Sequence, residues 1–339
     1  MALMTFRSIT PVFRFGGLEP GSEYRTHGRF HGADYDVLFE RTHPGPGGFR
    51  RLTEGASPET KQRLASVHFH EVFGAADHFV VVDVAYDLSG MSRAEIRDFR
   101  KRGNTHESAT LGRAVLDALR LHCTAGLLVD RSYDWGWPRQ LAVSSSSRRL
   151  IPQFAFSHLG TPQSTLPTSA HPALGKTIGA MARRQYPRSS GALNHVLDLA
   201  LEYHRVAFNL EHTTHAFLIL MTAFEALFKE GQRGSVQKAA IRLAEIVAST
   251  PEERAQVVND FEAALPDGLI KIRNGVAHGN PAITREMASN RYPVLYAYVT
   301  RALQEIVVMP KRIVGDPVGY HEWMFDGQSR DAKLAAVTP

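Results

Sequence analysis

The residues best suited to chemistry stand together in Leu269-Ile270-Lys271-Ile272-Arg273-Asn274-Gly275-Val276-Ala277-His278-Gly279-Asn280-Pro281. An arginine, an amide and a histidine near a helix end fit phosphodiester cleavage without a metal. Histidine exchanges a proton near neutral pH, so His278 can take one from a ribose 2′-hydroxyl or give one to the leaving oxygen. Arg273 keeps its charge and offers a planar fork to phosphate oxygens as negative charge builds. Asn274 is suited to positioning the phosphate or the sugar.

Helical geometry limits what this segment does alone. With about 100° per residue, Asn274 and His278 lie about 40° apart on one face, whereas Arg273 and His278 lie about 140° apart. One regular helix does not bring Arg273 and His278 onto one phosphate. Distortion at Gly275, a long arginine reach or a second copy of the motif is required. Each residue also has a plain structural reading. His278 suits a helix C-terminus, with Gly279 as the left-handed cap. Arg273 suits a surface pair with Asp267 or Glu262. Glu225, inside an apolar stripe, requires a basic partner if buried, and Arg273 is the natural candidate.

The elements that must carry these residues are helical. Apolar periodicity predicts helices over 193–210, 213–230, 235–249, 252–265, 267–279 and 291–308. Gly231 and Gly234 separate the second from the third. Pro251 with Glu252 and Glu253 suits the first turn of the fourth, and Asn280-Pro281 ends the fifth. Short connections and one apolar face per helix imply a bundle.

The chain before this bundle reads differently. Runs such as Tyr35–Phe39 and His78–Val84 have strand length and β-branched content, and Pro44-Gly45-Pro46-Gly47-Gly48 is a loop. Ser92 and Glu95 have capping-box spacing and open a helix to about Arg102. A second helix is expected over Glu107–Cys123, followed by strands at Gly126–Val129 and Leu150–Phe156. The expected fold class is therefore α+β: a mixed, β-leaning domain over 1–157, a Pro/Ser/Thr-rich linker over 158–192, an all-α bundle over 193–310 and a tail over 311–339.

The helix at Leu218-Ile219-Leu220-Met221-Thr222-Ala223-Phe224-Glu225-Ala226-Leu227-Phe228 and the Arg273–His278 segment together resemble the HEPN family, in particular its Apea-like group. The Arg-polar-His pattern has four residues between Arg273 and His278. The upstream helix is similar to the "ALEALF" helix of that group, with Phe224 where Leu is usual. About 45 residues separate the segments, and the likeness covers about 190–310. The resemblance implies an HEPN-like bundle that forms a homodimer with two motifs facing each other, which would relieve the angular problem. It implies metal-independent endoribonuclease activity on RNA, such as tRNA, leaving a cyclic phosphate, in a toxin or phage-defence setting. Arg273 and His278 would be catalytic, Asn274 supporting, and Glu225 a helper or a structural partner. The N-terminal region would be a sensor or substrate-selecting domain. The alternative is a non-catalytic HEPN-like scaffold that binds RNA or protein.

Charge points the same way. The 339 residues carry 39 Lys+Arg against 34 Asp+Glu, a net charge of +5. Residues 1–189 hold 24 against 17, residues 190–310 hold 11 against 13, and the tail holds 4 against 4. A polyanion would meet its electrostatic footprint in the N-terminal half. Candidate contacts there are Arg97, Arg100, Lys101 and Arg102, then Arg183 and Arg184, with Arg148 and Arg149 of the same weight. His68 and His70 alternate on one strand face, where a metal could bind, but no third ligand follows at suitable spacing. His212 and His215 are spaced to pair near a helix start. No phosphate-binding glycine loop, nucleophile elbow or zinc ligand set occurs, so no cofactor is expected. The greasiest run, Ala216–Phe228, is too short for a membrane and contains Glu225. A lone Cys123 and an N-terminus without a secretory pattern suit the cytoplasm.

Overall fold

The computed structural model describes residues 3–13, 15–17, 23–30, 33–41, 52–54, 58, 61–62, 76, 78–101, 105–123, 128–129, 133–137, 144–145, 164–184, 192–208, 210, 212–229, 235–262, 264–280 and 282–308. The chain is α+β and divides into two compact units, Met1–Tyr186 and Pro187–Pro339.

The first unit is built on an antiparallel sheet of β1 (Leu3–Phe13), β3 (Tyr24–Phe30), β4 (Ala33–Arg41) and β5 (His78–Asp87) in the order β3-β4-β5-β1. β7 (Tyr133–Trp137) and β8 (Ser144–Ser145) extend it, and β6 (Leu128–Val129) pairs with β1. β2 (Phe15–Gly17) pairs in parallel with β9 (Ser164–Thr165). Alternation along β4 buries Tyr35, Val37 and Phe39 and turns Asp34 outward, as strand periodicity requires. Pro11 stands in central β1 without a donor N–H. On the edge shared by β7 and β6, β7 reaches Ile9 and β6 begins at Val12, so Pro11 falls in the gap between them.

Among the described residues, α1 (Arg93–Lys101), α2 (Thr105–His122) and α3 (His171–Arg184) accompany this sheet. The Ser92 N–H donates to Glu95 Oε2 at 2.7 Å and the Glu95 N–H to Ser92 Oγ at 3.3 Å, which is the reciprocal capping box. α2 buries Leu111, Val115 and Leu119 and packs on β1, β5 and α3. The expected linker 158–192 thus contains α3, a helix packed on β3 and α2. Its Gly175 and Gly179 lower helix propensity, but both lie against β-sheet side chains, Tyr24 and Thr26 near the first and Tyr35 near the second.

The second unit holds α4 (Ala192–Phe208), α5 (Thr213–Phe228), α6 (Val236–Val247), α7 (Pro251–Asp260), α8 (Leu269–Ala277) and α9 (Arg285–Val308). α5 packs on α4, α6, α8 and α9, which is why its sequence is apolar nearly all round. Phe217, Leu220, Phe224 and Phe228 of α5 join Leu243, Phe261, Ile272, Leu295 and Val299 in the core. Each fully buried side chain of this size contributes about 1.5–3 kcal/mol. Among the described residues no helix is long and apolar enough to cross a membrane.

Helix ends follow local chemistry. Thr250 Oγ1 accepts the Glu253 N–H at 3.2 Å, and Pro251 opens α7. α7 stops at Asp260 and not at the expected 265. The Asp260 carboxylate accepts from Arg291 and from the Tyr298 hydroxyl, each at 2.6 Å, and Phe261 turns into the core against Phe224. α9 begins six residues before the expected 291, because the Thr284 hydroxyl accepts the Met287 N–H and the helix continues through Pro293. The proline costs one backbone donor, while Ala288 before it is buried. Gly231, Gly234, Pro281, Pro44–Gly48, Leu150–Phe156 and the tail 309–339 lie outside the described residues.

Candidate functional site

Glu225 and Lys229 occupy the last turn and C-cap of α5, and Arg273 lies on the facing side of α8. Arg273 Nε donates to Glu225 Oε1 at 3.0 Å, and Nη2 reaches the same oxygen at 3.0 Å. Lys229 Nζ holds the other oxygen, Oε2, at 3.3 Å. The side chains of Glu225, Lys229 and Arg273 are 15%, 19% and 30% exposed, so the carboxylate is the most enclosed and has a cation on each oxygen. This arrangement compensates a charge that would be costly if left alone in an apolar stripe.

Arg273 Nη1 donates to Asn274 Oδ1 at 3.2 Å. Three of its nitrogens are therefore engaged on one side by Glu225 and Asn274. Arg273 does not pair with Asp267 or Glu262, the surface partners its position had suggested. Asp267 lies 3.9 Å from Arg291, and Glu262 accepts from Gln237 at 3.3 Å. Lys229 lies four residues after Glu225, one turn along the helix, and is a partner that the sequence reading, which named only Arg273, had missed.

His278 is the C-cap residue of α8 and is exposed, as is Asn274 one turn before it. Its backbone N–H closes on Asn274 O at 3.0 Å. Gly279 then takes a left-handed φ of 67°, and the Asn280 N–H reaches back to Gly275 O at 2.8 Å. This is the glycine C-cap that ends α8. The helix is regular through Ala277, with no distortion at Gly275 that would swing Arg273 toward His278. Arg273 turns to α5, while His278 stands at the exposed end of α8, about 7.5 Å farther along the axis.

The turn after His278 is held in place. A Cβ on Gly275 would overlap the Ile283 side chain, so glycine here lets the turn fold back onto α8. Asn280 Oδ1 accepts the Ala282 N–H at 3.0 Å, and Asn280 O accepts the Ile283 N–H at 3.0 Å. This turn delivers Arg285, whose Nη2 lies 2.8 Å from His212 Nδ1 at the start of α5. The His212 and His215 rings meet edge to face at 5.5 Å. The Arg285 contact spans 73 positions, and nothing in the sequence announced it.

The other expected RNA contacts belong to the first unit. Arg97 is exposed on α1, and Arg100 and Lys101 lie in its last turn. Arg183 is exposed and Arg184 ends α3. Arg102, Arg148, Arg149, His68 and His70 lie outside the described residues. Among the described residues no group of three or more His, Cys, Asp or Glu side chains could hold a metal ion.

Compared with known protein families, curated proteins and solved structures, the chain matches none. The site is therefore read from its own geometry.

Proposed function

We propose that the helical unit is a metal-independent endoribonuclease of HEPN type, acting as a homodimer. The observation that carries this reading is the pairing of a preset arginine with an exposed histidine on one short helix: Arg273 oriented by Glu225 and Asn274, and His278 at the end of α8. A water-facing imidazole and a fixed guanidinium suit the proton transfer and the charge stabilisation of RNA phosphodiester cleavage. In this reaction His278 takes the proton of a ribose 2′-hydroxyl, and that oxygen attacks the adjacent phosphorus. The bond from phosphorus to the 5′-oxygen breaks, and the leaving oxygen receives a proton from an imidazolium. A 2′,3′-cyclic phosphate and a 5′-hydroxyl result. Arg273 stabilises the charge on the phosphoryl oxygens.

The 140° between Arg273 and His278 supports a dimer, in which the arginine of one copy works with the histidine of the other. A toxin or phage-defence setting, with tRNA among the targets, is proposed on the same family likeness, and cytoplasmic action on the lone Cys123.

One observation favours a second reading. Arg273 donates from three nitrogens to groups of its own chain, as a structural arginine would. In that reading the unit is a non-catalytic scaffold for RNA or protein, and Arg273 serves only to neutralise Glu225.

Incubation of wild-type and His278→Ala protein with total RNA and with tRNA, in EDTA, tests the proposal. Wild type is expected to leave cyclic-phosphate ends and His278→Ala none. Equal cutting by both proteins would overturn the assignment of His278, and no cutting by either would favour the scaffold.

A further inference from the structure

His212, His215 and Arg285 form a second basic cluster in the helical unit, separate from Arg273 and His278. All three are exposed. An arginine nitrogen can only donate, so at 2.8 Å the His212 Nδ1 accepts and its ring proton lies on Nε2. His212 therefore keeps a donor N–H on Nε2, the His215 ring stands edge to face beside it at 5.5 Å, and Arg285 has further donor nitrogens. The first turn of α5 carries no acid, only Thr213 and Thr214. Glu286, next to Arg285, is exposed.

The location of this cluster gives it meaning. α5 carries Glu225 with Arg273 near its C-terminal end and His212 at its start, thirteen residues and about 20 Å away along the axis. Ile283, two residues before Arg285, lies against Gly275 of α8. Arg273 thus meets α5 near its C-terminal end and Arg285 meets it at its start.

We infer that His212, His215 and Arg285 bind a backbone phosphate of single-stranded RNA several nucleotides away from the bond cut at His278. This rests on the reading of the unit as an RNA-cleaving one. The ligand is a phosphodiester and not a base. The Arg285 guanidinium and the His212 Nε2–H are donors, which suit phosphate oxygens. The subsite therefore sets affinity and register on the strand, not sequence.

The test uses the whole chain carrying His278→Ala, so that RNA is bound and not cut. Binding of an unstructured uridine/adenosine oligoribonucleotide is followed by fluorescence anisotropy across a salt series, with Arg285→Gln and His215→Gln added singly. Both positions are exposed, and thermal melting verifies that each variant is folded. Arg285→Gln is expected to weaken binding by about tenfold. It should also flatten the slope of log affinity against log salt by about 0.7, the loss of one single-strand phosphate contact. His215→Gln should weaken binding in the same direction. Unchanged affinity and slope in both variants would overturn the subsite.

With His278 restored, Arg285→Gln should raise KM for RNA and leave kcat in place. The two claims then fail separately. RNA cut with an unaltered KM in Arg285→Gln would sink the subsite and keep the nuclease. Arg285-dependent RNA binding by a chain that never cuts would keep the subsite and sink the nuclease. No binding of RNA by any form would sink both.

Discussion

Arg273 and Glu225 meet across 48 positions of sequence, with Nε and Nη2 of the guanidinium both 3.0 Å from Glu225 Oε1. The contact ties α8 to the central α5 and fixes which way the arginine faces. Glu225→Gln keeps an acceptor oxygen but removes the charge and turns an amide N–H₂ toward Lys229 or Arg273. The variant is expected to lose about 1–3 kcal/mol in urea denaturation, the cost of a compromised charged hydrogen bond. In the nuclease reading the released guanidinium also loses its alignment, and kcat for RNA falls by about 10–100-fold. A loss of stability with full kcat would confine Glu225 to packing.

Gly275 is the hinge of a second prediction. Alanine in a helix interior is favoured over glycine by about 1 kcal/mol, so propensity alone predicts that Gly275→Ala stabilises. The overlap with Ile283 opposes this, because overpacking costs about 1–3 kcal/mol. The contact involves the branched base of Ile283 and not only a flexible tip, so the overlap should win and Gly275→Ala should lower Tm. Ile283→Ala removes the nearest atom, Cγ1, but leaves the close Cβ, so the double variant should recover part of the loss. A double-mutant cycle with coupling under about 0.5 kcal/mol would refute the contact.

Much of the fold was legible because local and tertiary preferences agree. Period-two burial marked β4, the Ser92–Glu95 spacing marked the start of α1, and apolar periodicity located the helices of the second unit. The legible part of the site was the charge argument: a carboxylate in the apolar α5 needed a cation, and Arg273 supplies it. The failures occur where tertiary contacts override local signals. α3 shows in the sequence only as a helical patch near Ile178–Arg184 within the linker; its first half carries Pro172 and Gly175, and Tyr24 and Thr26 of the sheet give that glycine something to fit. The early start of α9 rests on the Thr284 hydroxyl accepting the Met287 N–H, a local cap that apolar periodicity does not report. The meeting of Arg285 with His212 depends on how a turn folds back on Gly275, which no periodicity encodes.

His122 provides a pH prediction in the first unit. Its Nε2 lies 2.8 Å from Thr177 Oγ1, whose own hydrogen goes to Ala173 O at 3.0 Å. The threonine oxygen therefore accepts, and the imidazole donates from Nε2. Burial disfavours the imidazolium and pushes the His122 pKa down to about 4. Above the ordinary histidine value, about 6.5, the ring is neutral in folded and unfolded chains, and its titration has no effect on stability. Between about 6.5 and about 4 the unfolded chain takes up a proton that the folded chain refuses, so stability falls as pH falls. Below about 4 both states bind the proton and the effect levels off. His122→Gln keeps an N–H donor for Thr177 and does not titrate. Its urea midpoint should therefore fall less steeply than wild type through this window. Parallel profiles for the two proteins would show that the buried ring titrates as it does in the unfolded chain.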